Sequence, residues 1–251
     1  MGRRITLLVA VVGLGVVLVG CPPPTGDPTG GGDGTTGDPP EDPTVYVAGY
    51  RSDGTRNVAA YWVDDGSTVT YTELEPGVEG EATDIVVDGS GVVHAVGWYK
   101  NGSNVDVAAY WKDGVVENLV TGGRATGLAL DSSGVAYVSV TYDDSGTQTA
   151  AYWTVDAGVV SGPNDLYATG NPEATGIALD GSDVYVSGYY TDGSNTAVYW
   201  LDDGSPVTPV NLYTTALSET QAIAHDGSAS YVAGRYIDAF GSLSPAYWID
   251  D

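Results

Sequence analysis

Apolar residues fall in short runs along this chain, four to seven long, separated by turns rich in Gly and Asp. One run reads Val-Tyr-Val-Ala-Gly-Tyr over residues 45–50, and a polar turn leads from it to Ala-Ala-Tyr-Trp over residues 59–62. The Tyr-Trp pair returns at Tyr110-Trp111, Tyr152-Trp153, Tyr199-Trp200 and Tyr247-Trp248, so the tryptophans stand 49, 42, 47 and 48 residues apart. After each of the first four pairs comes a turn ending in Gly66, Gly114, Gly158 or Gly204. An extended stretch follows, ending near Leu74 or carrying Asn118-Leu119, Asp165-Leu166 or Asn211-Leu212. A further apolar run (residues 82–88, 125–131, 174–180 and 221–226) ends in an Asp-led turn, and the Val-Tyr-Val phrase begins again. Runs of this length between Gly and Asp turns predict strands joined by hairpins. Nothing after residue 20 has a helical period.

Four strands in each unit of 42–49 residues, repeated, predict an all-β chain folded as a β-propeller of about five four-stranded blades. A β-solenoid uses shorter coils and parallel strands, and a β-sandwich does not require its repeats to resemble one another. Part of each unit resembles the NHL family of propellers. The match lies in Gly176-Ile177-Ala178-Leu179-Asp180 with Val184-Tyr185-Val186, and again in residues 127–131 with 135–138. The Tyr-Trp half departs from that pattern and is similar to propeller-type repeats of uncharacterised bacterial lipoproteins. The resemblance implies that the Gly-Ile-Ala-Leu-Asp run is the inner strand and the Val-Tyr-Val phrase the second. Ala-Tyr-Trp is then the third strand and the Asn-Leu stretch the outer one. On that count the chain holds five second and five third strands but four inner and four outer ones. The first blade lacks its inner strand and the last its outer strand. Either these two blades meet edge to edge, or the ring stays open and its strand edges must be managed.

The pattern changes at the N-terminus. Arg3 and Arg4 precede an apolar run, residues 5–19, that is short for a membrane span. Leu18-Val19-Gly20-Cys21 resembles the lipobox of bacterial lipoproteins. Residues 1–20 are therefore expected to be a lipoprotein signal peptide, with Cys21 carrying the fatty acyl (palmitate) groups. A plain secretory signal is the competing reading, and Thr6 interrupts the apolar stretch that a twin-arginine signal would need. Residues 21–43 form the lipidated Cys and a Pro/Gly/Thr/Asp linker with nothing to bury, a tether by composition. Residues 44–251 are the repeat domain. The resemblance implies a cell-envelope location, the partner being the membrane through Cys21. With no Asp after Cys21, the outer membrane is favoured over the inner one if the cell is Gram-negative.

Composition adds two constraints. Gly is abundant at 36 residues, Tyr (18) and Trp (6) carry the aromatic content, and Phe, Met and Cys occur once each. This is a profile of strands and tight turns. The net charge is −25 and becomes −27 if residues 1–20 are removed. A field of that sign opposes nucleic acid and anionic lipid headgroups, so neither is an expected partner of the folded part. Most of the acids are Asp, which the turns themselves call for. A cation-binding surface is the alternative reading of the acidity.

Candidate chemistry is sparse. His94 and His225 each replace a residue of the repeat in one unit only and read as structural. With no second nearby His and no Cys in the domain, no metal site is expected. There is no Gly-x-Ser-x-Gly elbow and no phosphate-binding loop. The carboxylate pairs, such as Asp143-Asp144, sit in turns without an apolar pocket to raise one pKa. The expectation is no catalysis and no cofactor. Binding is the better hypothesis. In a propeller, the loops leading into the inner strands and those joining second to third strands share one face. That face would carry Arg124, Tyr50, Asp53, Tyr142, Tyr189 and Tyr190, with Trp98, the one Trp outside the pairs, as its candidate exposed aromatic. Aromatic rings flanked by Asp and Asn suit a glycan, a peptide or a protein surface. The five paired tryptophans read as packing between blades. The sequence thus predicts a tethered, non-catalytic interaction module. A purely structural envelope lipoprotein is the alternative, and a glycan-active enzyme a third possibility.

Overall fold

The computed structural model describes residues 44–214, 217–238 and 240–250. Cys21, the leader, the tether and Asp251 lie outside the described residues. Five antiparallel sheets follow one another along the chain. The first contains β1 (Val45–Ser52), β2 (Asn57–Asp64) and β3 (Val69–Glu73). The second contains β4 (Gly80–Val87), β5 (Val93–Lys100), β6 (Asp106–Lys112) and β7 (Val115–Thr121). The third runs through β8 (Gly123–Leu130), β9 (Ala136–Asp144), β10 (Thr147–Asp156) and β11 (Val159–Tyr167). The fourth is β12 (Glu173–Asp180), β13 (Asp183–Asp192), β14 (Ser194–Asp202) and β15 (Pro209–Tyr213). The fifth is β16 (Ser218–His225), β17 (Ser230–Ile237) and β18 (Leu243–Asp250).

Each sheet is a meander, and each is one blade of a β-propeller. The three middle blades have four strands; among the described residues the first has no inner strand and the last no outer one. The inner strands β4, β8, β12 and β16 pack side by side around the centre, and β1 packs on β4. Among the described residues the first and last blades share no such packing, so the ring of described blades is open.

The seams between blades explain why the Tyr-Trp phrase repeats. Neighbouring strand residues point to opposite faces. The Trp of each pair therefore faces the preceding blade and the Tyr the following one. Tyr61 joins Trp111 in one apolar cluster, Tyr110 joins Trp153, Tyr152 joins Trp200 and Tyr199 joins Trp248. Small residues make room for these rings: Ala59, Ala60, Ala108, Ala109, Ala150 and Ala151 are fully buried on the same strands. Gly188 lies under Trp200, where an added Cβ would stand 2.6 Å from the indole Cη2.

The Asp-led turns close the inner hairpins. Asp88 Oδ1 accepts from the N–H of Ser90 at 2.8 Å and of Val92 at 3.0 Å, and Asp131 Oδ1 does the same for Ser133 and Val135. Backbone N–H groups bonded to the ionised form hold the Asp88 carboxyl below its ordinary range. Much of the negative charge is thus turn chemistry.

Candidate functional site

Strand register places the candidate residues on one rim. Glu81 pairs across the inner hairpin with Trp98, Arg124 with Thr141, Glu173 with Tyr189 and Glu219 with Arg235. These four pairs hold the same position in successive blades. In the first blade Tyr50 holds that place with no inner-strand partner among the described residues and is 41% exposed.

Trp98 is not the exposed aromatic that the sequence suggested. It is 8% exposed, and its ring is roofed by the Arg124 guanidinium, centred 4.0 Å away, with Lys100 Nζ at 5.8 Å. The physical reason is a pair of cations that converge on Asp106, Lys100 from the neighbouring strand of the same blade and Arg124 from across the seam. Lys100 Nζ donates to Asp106 Oδ1 at 2.8 Å and Arg124 Nε to Asp106 Oδ2 at 2.7 Å. Trp98 therefore serves as the apolar support of an Arg–Asp–Lys bridge. Burial pushes the Asp106 carboxyl up, but these two bonds outweigh it and hold it below the usual carboxylate range. Burial pushes the Glu81 carboxyl up as well, partly opposed by the charge of Arg124, and its buried Oε1 has no partner among the described residues.

Beside this bridge a cleft of about 380 Å³ opens between the second, third and fourth blades. Asp106 and Arg124 form one wall, Gln148 and Glu173 the other, with Thr141, Tyr142 and Asp143 between them. Gln148 is fixed by donating to the Pro172 carbonyl at 2.9 Å. Glu173 accepts from the Tyr189 hydroxyl. The floor is Gly122-Gly123. An added Cβ at Gly123 would lie 2.8 Å from Val120 Cγ1 and from Tyr142 Cβ, so only glycine lets the strands come this close. The cleft offers a guanidinium, carboxylates, an amide and hydroxyls around a space that suits a small hydroxylated or zwitterionic group.

The other candidates divide. Arg124 and Tyr142 line the cleft, but the Tyr142 ring is packed edge-on against Trp153, 5.2 Å between centroids, and its hydroxyl donates to Asp165 at 2.9 Å. Tyr190 packs with Tyr167 and reaches Asn211 at 3.3 Å. Asp53 Oδ1 accepts from the N–H of Thr55 at 2.7 Å and of Arg56 at 2.9 Å, which makes it the organiser of its own turn. His94 is buried with Nδ1 2.6 Å from the Tyr110 hydroxyl, and His225 stacks on Tyr185 at 4.3 Å. Both histidines sit in seams.

Two positions escaped the sequence reading. Asp106 carries a signal: it faces Lys100 across the hairpin. Asp84 carries a clearer one, since it stands where Gly127, Gly176 and Ala222 stand in the other inner strands. At Gly127 a Cβ would meet the Gly176 Cα at 2.9 Å, so those strands touch. Between β4 and β8 there is room for a side chain, and Asp84 uses it. Its Oδ2 accepts from the Leu128 N–H at 2.8 Å and its Oδ1 from its neighbour Ile85 at 2.8 Å. Burial pushes this carboxyl up to about 6 despite those bonds. It borders a central channel of about 320 Å³, shared with Thr83, Thr126, Thr175 and Gln221. Among the described residues no three His, Cys, Asp or Glu side chains are grouped to hold a metal ion.

No family model and no curated protein matches this sequence. Solved structures do match the fold. A Hadza microbial sialidase superposes with a TM-score of 0.53 at 10% identity, over 83% of this chain and 50% of its own. The β-propeller domain of the Trilobed protease from Pyrococcus furiosus, described as having an open velcro topology, gives 0.51 at 10% identity, over 84% and 66%. A Trypanosoma rangeli sialidase gives 0.51 at 7% identity, over 81% and 42%. The chain thus spans between 42% and 66% of the length of these structures. At such identities the likeness is one of fold alone.

Proposed function

We propose that this protein is a non-catalytic binding module of the bacterial cell envelope, held to the membrane by acyl groups on Cys21 and spaced from it by residues 22–43. Its ligand is a glycan or a peptide group seated in the cleft between Arg124 and Glu173. One observation carries the reading: the cleft's charged side chains are each held in a fixed ion pair or hydrogen bond, as recognition requires. Asp106 is locked by Lys100 and Arg124, and Glu173 by Tyr189. The Asp106 carboxylate, held ionised by its two cations, is a hydrogen-bond acceptor for ligand hydroxyls rather than a proton donor. The Cys21 anchor is supported by the lipobox-like residues 18–21 and by the tether's composition. Buried methylenes contribute about 0.8 kcal/mol each, so two or three acyl chains outweigh the repulsion between an acidic domain and an acidic surface.

A glycan array and a peptide library probed with the parent protein and with Arg124→Ala test the ligand. Binding that falls at least tenfold in Arg124→Ala supports the cleft. Uniform silence with the parent favours a structural envelope protein. Incorporation of a labelled fatty acid that persists in Cys21→Ser removes the anchor. A second reading, a glycan-active enzyme, rests on Asp84, whose raised carboxyl beside the channel is suited to proton transfer near neutral pH. Turnover of an arrayed glycan that vanishes in Asp84→Asn would replace the first reading with the second.

A further inference from the structure

The open ring leaves two blade faces without a neighbour among the described residues, and they are the two halves of one interface. Across the four seams, the Tyr of one blade shares an apolar cluster with the Trp of the next. At two of them the Tyr hydroxyl also donates to the Asp two residues past that Trp: Tyr152 to Asp202 Oδ2 at 2.8 Å, and Tyr199 to Asp250 Oδ2. Asp202 is held for this by its own turn, its Oδ1 accepting from the Gly204 N–H at 3.1 Å.

The last blade carries the donor half with nothing opposite it among the described residues. Tyr247 is 75% exposed, and Leu243 and Ile249, which alternate with it onto the same face of β18, are exposed too. The first blade carries the acceptor half. Trp62 faces away from the second blade, and Tyr71 and Val69, paired with Trp62 and Asp64 across the strands, are exposed beside it. Asp64 stands two residues past Trp62. Its Oδ1 accepts from the Gly66 N–H at 2.9 Å, the same turn that presents Asp202. Its Oδ2 accepts no bond from the described residues. The other end of this face is closed by Arg51, which pairs with Glu73 at 2.5 Å and lies over the Tyr71 ring at 4.9 Å. The docking surface is therefore the Trp62–Asp64 end.

We propose that this protein associates with a second copy of itself head to tail, the last blade of one copy seating on the first blade of the next. Tyr247 packs on the partner copy's Trp62, and its hydroxyl donates to the partner copy's Asp64. A second copy is the occupant the surface specifies, because the interface is the one the chain already builds between its own blades. The contact joins two different faces, so each copy still offers one of each and the association continues as a row. The net charge of −25 opposes the approach of two copies. Screening shortens that repulsion, so association strengthens as salt rises.

The test uses two full-length chains, both with Cys21→Ser so that the introduced thiols are the only ones. One carries Tyr247→Cys and the other Asp64→Cys. A hydroxyl–carboxylate contact holds the two Cβ atoms too far apart for a direct disulfide, so a short bismaleimide crosslinker bridges the thiols. A linked pair is expected that needs both chains and exceeds either chain alone at least tenfold. It should increase between low and high salt. A chain bearing both changes should give a ladder of multimers. An internal crosslink in that chain without a ladder means that the ring closes on itself, and it overturns the proposal, as do same-site pairs alone or the absence of any product. Sedimentation of the Cys21→Ser chain with and without Tyr247→Asp reads the same contact without crosslinking. A Kd raised at least tenfold by Tyr247→Asp supports it, and identical sedimentation sinks it. Tyr247 is exposed in the single chain, so its substitution leaves the fold intact.

Discussion

Tyr199 and Tyr247 occupy the same place in consecutive blades, yet one is 6% exposed with its hydroxyl on Asp250 and the other is 75% exposed. The tryptophans show the mirror image. Trp111, Trp153 and Trp200 are buried by the blade before them, whereas Trp62 has no blade before it among the described residues. The phrase is the same in all five units, so the difference lies in the neighbour. A blade of this kind is stabilised mainly through its two seams, in the manner of repeat arrays with nearest-neighbour coupling. Substitutions should therefore scale with the number of seams that they disturb, and the same change in a middle and a terminal blade measures this directly.

The largest contrast is expected at the tryptophans. Trp200→Ala removes a fully buried indole from the seam between the third and fourth blades and should cost about 3–5 kcal/mol. Trp248→Ala acts on a partly buried ring in the last blade and should cost less than half as much. Urea titrations followed by tryptophan fluorescence and by circular dichroism measure both. Equal losses would mean that the last blade is as tightly held as the fourth. The next contrast lies beneath the rings. Gly188→Ala forces a methyl into the Trp200 ring and the Glu173 carbonyl, and overpacking of this kind costs about 1–3 kcal/mol. Gly49→Ala meets Trp62 at 3.4 Å, where a small shift of an outer ring suffices, so its cost should fall below 1 kcal/mol.

Much of this architecture is written in the chain because hairpins are local. The five Tyr-Trp pairs, the Gly and Asp turns and the count of strands with one inner and one outer missing all appear as sequence spacing. Each recurs once per blade at a regular spacing, so it can be read along the chain whatever it touches across a seam. What spacing does not carry is the side-chain traffic across seams. Trp98 breaks the repeat and so stands out, but its burial depends on Arg124 and Asp106, on strands of two different blades. Asp53 has the composition of a ligand-binding loop and the hydrogen bonds of a turn, and composition does not separate these. The openness of the ring was left as one of two outcomes by the strand inventory. It is decided by the packing of whole blades.

A third contrast sits at the centre, between Asp84 in β4 and Gly127 in β8. Burial raises the Asp84 carboxyl to about 6 from an ordinary value of 3.8. The folded chain therefore holds this proton over a pH range in which the unfolded chain has released it. The stability that comes with it is fully present below about pH 4 and is lost as pH rises through 6. Two pH units correspond to roughly 2–3 kcal/mol. Asp84→Gly, which copies the glycine of the third and fourth blades, should remove that dependence. The stability difference between parent and variant, from urea titrations at pH 4 and pH 7, should change by about 2 kcal/mol, in the direction that favours the variant at pH 7. An unchanged difference would place Asp84 in water. Below pH 4 both chains should lose stability, because the turn aspartates Asp53, Asp65 and Asp88 hold their carboxyls low through backbone N–H bonds that protonation weakens.

The smallest contrast is the most direct test of the seam itself. Tyr152→Phe keeps the ring and removes only the hydroxyl that donates to Asp202 at 2.8 Å. A hydrogen bond to a carboxylate in a partly buried site contributes about 1–2 kcal/mol, and the orphaned Asp202 oxygen stays reachable by water, which limits the loss. Tyr247→Phe removes the same hydroxyl where it has no partner among the described residues. In dilute solution it should shift stability by less than about 0.5 kcal/mol. Raising the protein concentration then separates two accounts of the last blade. If its face stays in water, Tyr247→Phe remains silent at every concentration. If it meets the Asp64 of another copy, the parent gains stability with concentration and Tyr247→Phe gains less, because a hydroxyl that was idle in one chain is bonded between two.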